Sequence, residues 1–158
     1  MLGTLSPAEI EEMLQSQFVG RIGCHADGIT YVFPIGYAYK DGYIYCRTME
    51  GMKLSMMRKN PNICFEMDNI KDTANWKSVI AWGAFEELTD KTERDNALQC
   101  LIDRVLPLSS SSIMHFTPEW PFHLNDISSI DGVVFRIFLT EKTGRFENDE
   151  VIADSLRG

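Results

Sequence analysis

A chain of 158 residues is long enough for one domain with its own core, or for one that completes itself by dimerising, and too short for two independent domains. Its formal charge of −8 argues against a nucleic-acid partner, which is held mainly by lysine and arginine contacts to phosphates. With 44% hydrophobic and 24% charged residues, and no apolar run of bilayer length, the chain is expected to be a globular protein without a membrane span. Met1 to Gln15 contains Glu11 and Glu12 and no basic stretch, so it does not read as a signal peptide, and the expected location is cytoplasmic.

In chain order, Ser6-Pro-Ala-Glu9 is a capping box with proline at the first helical position, and Ile10, Met13, Leu14 and Phe18 keep helical spacing behind it. Gly20 to Ala26 alternates as a strand, Asp27-Gly28 is a hairpin signal, and Ile29 to Tyr39 is β-rich apart from Pro34 and Gly36. Lys40-Asp41-Gly42 turns the chain into a strand over Tyr43 to Thr48, so three antiparallel strands are expected as a meander. A helix from about Gly51 to Lys59 is stopped by Asn60-Pro61. Further strands are expected over Asn62 to Asp68, Trp76 to Leu88, with Gly83 as a bulge, and Gly132 to Thr140. The segment from Asn69 to Asn75 reads as a polar loop. A second helix opens at Thr89-Asp90, carries Ala97, Leu98, Leu101, Ile102 and Val105 as one apolar stripe, and ends at Pro107. Its Glu93, Arg94 and Asp95 read as a solvated face.

About six strands joined by short turns, with few helices to cross over between them, indicate a single domain over residues 1–158, mainly β with flanking helices, as a closed antiparallel barrel. Cys24, Cys46, Cys64 and Cys100 are scattered without a CxxC pair and read as reduced core residues. No metal site is expected, since His25 beside Cys24 on an alternating strand points to the opposite face.

The chemistry concentrates where the Tyr43 strand runs into the next helix. Arg47, Thr48 and Lys53 bring a guanidinium, a hydroxyl and an ammonium to the start of a helix, a set suited to a cluster of anionic oxygens. The same residue types near a turn are also compatible with plain solvated surface.

Taken in order, Gly20-Arg-Ile-Gly23, Tyr31-Val-Phe-Pro-Ile-Gly-Tyr37, Asp41-Gly-Tyr-Ile-Tyr45, Gly51-Met-Lys53, Asn60-Pro61, Trp76-Lys-Ser-Val79 and Gly83 resemble the pyridoxamine 5'-phosphate oxidase-like flavoproteins, from about residue 6 to residue 146. The ending Leu139-Thr-Glu-Lys-Thr-Gly-Arg145 is similar to that family's last strand. The resemblance implies a split β-barrel that binds FMN at a homodimer interface. It implies that Arg47, Thr48 and Lys53 hold the FMN phosphate, and that the strand at Pro34, Ile35, Gly36 and Tyr37 runs beside the flavin ring. It places Trp76, Lys77 and Ser78 on the strand that approaches the flavin from the other subunit.

Within that family the chain is similar to the nitroimidazole-resistance reductases, with one departure. Those proteins commonly carry a histidine at the end of the strand before the Gly-x-Lys turn, and here Cys46-Arg47 stands there; an always-protonated arginine cannot shuttle protons near neutral pH. The implied function is an FMN-dependent oxidoreductase passing electrons from a reduced nicotinamide or similar donor to a small acceptor. The alternative is a non-catalytic flavin- or haem-binding module, for which His25, His115 or His123 would be the axial ligand. His115, Trp120 and His123 sit in the long stretch from Pro107 to Asp131, as candidates to line a cavity. No residue is assigned as a catalytic acid or base, and no Gly-x-Ser-x-Gly elbow supports a hydrolase.

Overall fold

The structure is a computed structural model and describes residues 1–105 and 127–149. Its first helix, α1 (Pro7–Ser16), starts as expected: the Ser6 hydroxyl accepts from the Glu9 amide and the Glu9 carboxylate accepts from the Ser6 amide. Eight strands follow the order β3 (Ile29–Gly36), β2 (Val19–Ala26), β6 (Asn62–Asp72), β7 (Asn75–Glu87), β8 (Val133–Glu147), β5 (Tyr43–Thr48), β4 (Ala38–Lys40), and β1 (Leu2–Thr4) pairs with the far end of β8. Helix α2 (Met52–Lys59) lies between β5 and β6, helix α3 (Lys91–Val105) follows β7, and a 3-10 turn (Ile127–Ser129) precedes β8. No described helix is long and apolar enough to cross a membrane.

Two hairpins share one turn chemistry. Asp27 (φ 52°) and Gly28 (φ 74°) join β2 to β3, and Asp41 (φ 52°) and Gly42 (φ 82°) join β4 to β5. Both central positions of such a turn need the left-handed region, which aspartate tolerates and glycine occupies freely. The expected meander is corrected here. β3 and β4 do not pair; they are the opposite edges of the sheet, and the chain passes between them through Tyr37. Burial decides this, because Tyr37 is fully buried, its ring is edge-on to Phe65 and its hydroxyl donates to the Leu14 carbonyl at 2.8 Å.

The described sheet is also not closed, since β3, β4 and β1 each have a partner on one side only, and it has eight strands rather than about six. The expected polar loop at Asn69 to Asn75 is mostly strand, with Asp72 facing Asn75 across a tight turn in which Asp72 accepts from the Ala74 amide. β8 continues past Thr140 through the polar tail to Glu147, because β7 on one side and β1 on the other supply its ladder whatever its hydropathy. The bulge expected at Gly83 is present, as a register shift between Trp82 and Gly83. A Cβ at Gly83 would lie 2.1 Å from the Phe138 carbonyl oxygen, so only glycine permits this strand approach.

Alternation sorts the side chains. Ile22 and Cys24, Phe65 and Met67, Val79 and Ala81, Ile44 and Cys46, Phe135 and Ile137 form the inner face, closed by Ile10, Met13 and Leu14 of α1 and Leu54 and Met57 of α2. Of the predicted stripe on α3, Ala97, Leu98, Leu101 and Ile102 pack with Ile130 and Val134 and cover the other side of β8 and β5, while the Val105 side chain lies outside the described part. Each large side chain so buried contributes about 1.5–3 kcal/mol. Phe18, expected on α1, falls beyond its end and is exposed, with Arg104 stacked 5.7 Å from its ring.

No described helix or strand covers the outer face of β3, β2, β6 and β7. Cross-strand register aligns Val32, Gly23, Cys64 and Trp82 in one row and Pro34, Arg21, Glu66 and Ile80 in the next. Val32 is 63% exposed, Trp82 39% and Ile80 38%.

Candidate functional site

The corner that the sequence marks is built from the end of β5, the turn after it and the start of α2. β5 sets Arg47 opposite Val134 and Thr48 opposite Val133. Gly51 is the N-cap of α2 and offers no side-chain acceptor, so the first amides of the helix lack a side-chain cap. The positive end of the helix dipole adds to those amides, while Arg58 and Lys59 complement its other end.

Lys53, in the first turn, is half-buried. Its ammonium sits 4.9 Å from the centroid of the Phe33 ring and makes no hydrogen bond or ion pair among the described residues. The Thr48 hydroxyl likewise has no hydrogen-bond partner among them. Because Phe33 immediately precedes Pro34 on β3, the lysine joins the two residue groups singled out from the sequence, those of β5–α2 and those of β3.

Arg47 is more committed. Only 12% of its side chain is exposed; Nε donates to the Asp131 carbonyl at 2.7 Å and a terminal nitrogen donates to Asp131 Oδ1 at 2.9 Å. Burial lowers the guanidinium pKa from its usual value, the Asp131 bond and charge oppose that, and Arg94 adds to the lowering. It stays charged near neutral pH.

The segment that carries Asp131 is itself held in place. Arg94 donates to the carbonyls of Ile130 and Gly132, and Asp95 accepts from Lys91 and from Ser128. The expected solvated face of Glu93, Arg94 and Asp95 is therefore corrected: Arg94 and Asp95 bind the connection into β8. Gly132, at φ 96°, presses close, since a Cβ there would lie 3.0 Å from the Thr48 carbonyl and 3.2 Å from Arg47 Nε. The sequence reading does not single out Asp131 and takes Arg94 only as part of a solvated face; the signal available for Asp131 is the Asp131-Gly132 pair, a turn marker directly before a strand.

The remaining candidates divide. Pro34 is exposed on the edge strand β3, where a proline is tolerated, whereas Ile35 and Tyr37 turn into the core. Burial raises the Tyr37 phenol well above its ordinary value, so this group is structural. Gly36 is buried and pairs with Val19. Trp76 is half-buried with its indole donating to Glu147 Oε2 at 3.0 Å, Lys77 is exposed and Ser78 is half-buried.

These last residues are remote from Arg47 within one chain. Ser78 pairs with Arg145 and Arg47 with Val134, positions separated by 145 − 134 = 11 residues on β8, or roughly 35 Å along the strand. A single protomer does not bring the two groups together. His25 is exposed on the β2–β3 hairpin and bonded to the Thr30 hydroxyl at 2.9 Å, while His115, Trp120 and His123 lie outside the described residues.

A mainly antiparallel sheet with flanking helices and a cationic corner at a strand-to-helix turn is the architecture of split-barrel proteins. The chain matches the family described as pyridoxamine 5'-phosphate oxidase over residues 6–145, and it belongs to that family. It is 31% identical over 149 residues to an uncharacterized protein of Rhizobium meliloti, covering 89% of this chain and 92% of that one. Among solved structures it is similar to a protein from Mesorhizobium loti described as FAD-binding, at 32% identity and a TM-score of 0.72, covering 94% of this chain and 99% of that one. A second is an FAD-binding protein from Mycobacterium smegmatis, at 25% identity and a TM-score of 0.67, covering 93% and 100%.

Proposed function

We propose that this chain is a flavoprotein oxidoreductase that binds FMN at the β5–α2 corner and works as a homodimer. The observation that carries the reading is the pairing of a half-buried Lys53 and a Thr48 hydroxyl, neither with a hydrogen-bond or ion-pair partner among the described residues, with an N-terminus of α2 that has no side-chain cap. Such a set fits a phosphate monoester: amides, hydroxyl and ammonium donate, and the dipole favours the charge. Two similar solved structures are of proteins described as FAD-binding, which supports a flavin as the occupant. FMN is the flavin proposed because amides, one hydroxyl and one ammonium make a donor set suited to a single phosphate monoester.

Two features support the second copy. Trp76, Lys77 and Ser78 are too far along β8 from Arg47 to share a site in one chain, and the outer face carries Val32, Trp82 and Ile80 in adjacent rows. Apolar faces of this kind mark contact surfaces, and a two-fold arrangement brings the same patch to itself.

Bound flavin supplies the hydride and electron chemistry, from a reduced nicotinamide or similar donor to a small acceptor. This chain's residues bind and orient it: Lys53 and Thr48 hold the phosphate, and β3 presents backbone groups at Pro34 and Gly36 along its free edge. The test is the spectrum of freshly purified protein and of the chromophore released on denaturation. FMN is expected, with reduction of the bound flavin by NADH or NADPH; protein that ignores added FMN overturns the reading, and released FAD overturns the choice of FMN.

A further inference from the structure

The start of α2 has an acidic neighbour and yet no side-chain cap. Glu50 directly precedes the cap residue Gly51, where the helix dipole attracts a carboxylate. Both of its oxygens are engaged elsewhere: Arg58 Nη1 donates to Oε2 and Arg58 Nη2 to Oε1, each at 2.8 Å. The same guanidinium is seated from its other edge, with Nε and Nη2 donating to the two oxygens of Glu87 at 2.9 Å. Isolated surface ion pairs contribute little, but a planar fork that meets two carboxylates bidentately is the geometry in which such contacts hold.

This cluster lies on the same side of the sheet as the phosphate corner. Glu87 and Cys46 both pair with Phe135, and alternation along β5 returns Thr48 to the face of Cys46, so Glu87, Cys46 and Thr48 share the inner face that α2 covers. Across α2 the two cations part: Lys53 turns to Phe33 of β3 and Arg58 to Glu87 of β7.

We infer that Arg58 is a positioning residue for the phosphate corner: by holding both oxygens of Glu50 it keeps the first amides of α2 open to an anionic ligand. This rests on the phosphate assignment proposed above. The physics is competition for one set of donors. A released Glu50 stays tethered beside Gly51, where it accepts from the amides that the phosphate uses or repels the dianion that reaches them. Held or released, that carboxylate is ionised wherever a phosphate monoester is a dianion, above about pH 6. Riboflavin, which has no phosphate, does not meet this competition.

Two other roles for Arg58 have different consequences. A mere support of the turn, once lost, weakens every flavin alike and is not repaired by removing Glu50. A mere positive charge acts as its neighbour Lys59 does, which is bonded to Asp27 at 2.6 Å and has no hold on Glu50.

The experiment is titration of the apoprotein with FMN and, separately, with riboflavin, followed by quenching of flavin fluorescence. It compares the wild type with Arg58→Met, Arg58→Gln, Glu50→Gln, the double variant Arg58→Met with Glu50→Gln, Lys59→Gln and Lys53→Ala. Both Arg58 variants are expected to bind FMN about fivefold more weakly, the size of one charge at a helix N-terminus, with riboflavin unchanged. The double variant is expected to return to the wild-type FMN affinity, and Glu50→Gln and Lys59→Gln to keep it. An unchanged FMN affinity in both Arg58 variants overturns the inference, as does an equal loss for riboflavin, a double variant as weak as Arg58→Met, or an equal loss in Lys59→Gln. Lys53→Ala keeps the two readings apart: if it leaves the FMN-to-riboflavin ratio untouched, the phosphate assignment itself fails. If it collapses that ratio while the Arg58 variants do not lower it, only the inference about Arg58 fails.

Discussion

Two corners of this molecule handle their cations in opposite ways. At the far end of α2, Arg58 donates to both Glu50 and Glu87, and at the other end of the sheet Lys142 is paired with Glu11, whose second oxygen accepts from Tyr39. At the near end of α2, Lys53 faces an aromatic ring and, among the described residues, no carboxylate, while Arg47 is bonded to the exposed Asp131. Among the described residues Lys40, Lys71 and Lys77 also have no ion pair, but they are exposed, and water serves them. In a chain with 23 acidic and 15 basic residues, a half-buried ammonium with neither a carboxylate nor a carbonyl acceptor among the described residues is the feature on which the proposed anion site rests.

The largest effect that breaks this contrast is the double variant Arg47→Ala with Lys53→Ala. Each lost charge-assisted contact costs about 1.5–3 kcal/mol, so FMN affinity measured by fluorescence quenching is expected to fall by two orders of magnitude or more. Equal affinity in the double variant would return the corner to ordinary surface.

A second change probes the outer face of β3, β2, β6 and β7 against the face that α3 covers. Trp82→Glu places a carboxylate in the row Val32, Gly23, Cys64 and Trp82, where a second copy would have to desolvate it at several kcal/mol. The expected outcome in sedimentation is a shift from dimer to monomer with the fold retained. A dimer that survives the change moves the contact elsewhere.

The smallest effect lies at the satisfied corner. Burial pushes the Glu11 carboxyl up, but the bonds from Lys142 and Tyr39 and the lysine's charge outweigh it and hold the carboxyl below its ordinary range. The Lys142 ammonium is raised above its usual value, chiefly by the Glu11 bond. A depressed carboxyl adds stability above its unfolded pKa and loses it as pH falls through the folded one; a raised ammonium adds stability below its unfolded pKa and loses it as pH rises through the folded one. Pairing is therefore worth most between the two ranges. With Glu11 41% exposed, water screens the pair to about 1 kcal/mol or less. Thermal unfolding of Lys142→Met should lie slightly below wild type at neutral pH and converge with it in acid.

Much of the fold was legible where local chemistry decides. The Ser6–Glu9 capping box, both Asp-Gly turns, the Gly83 bulge and the α3 stripe each follow from a few adjacent residues, and each is present. What was not legible is settled by distant partners. β3 and β4 read as one continuing run, and the buried Tyr37 sends them to opposite edges of the sheet. The strand from Glu141 to Glu147 is polar and exists because β1 and β7 flank it. Arg47, Thr48 and Lys53 could be proposed from spacing, but Asp131 is 84 residues from Arg47 in sequence and no short-range pattern links them.

β8 has a further consequence, for the order in which this molecule assembles. It is the last described strand and yet sits inside the sheet, taking β7 along one edge and both β5 and β1 along the other. During synthesis the two halves on either side of it therefore emerge as separate hairpin units whose facing edges have no mate. Pairing β1 with β8 closes a loop of more than a hundred residues, as in Leu2 against Glu147. Such non-local closure is slow, and until β8 arrives those edges are open templates for other chains.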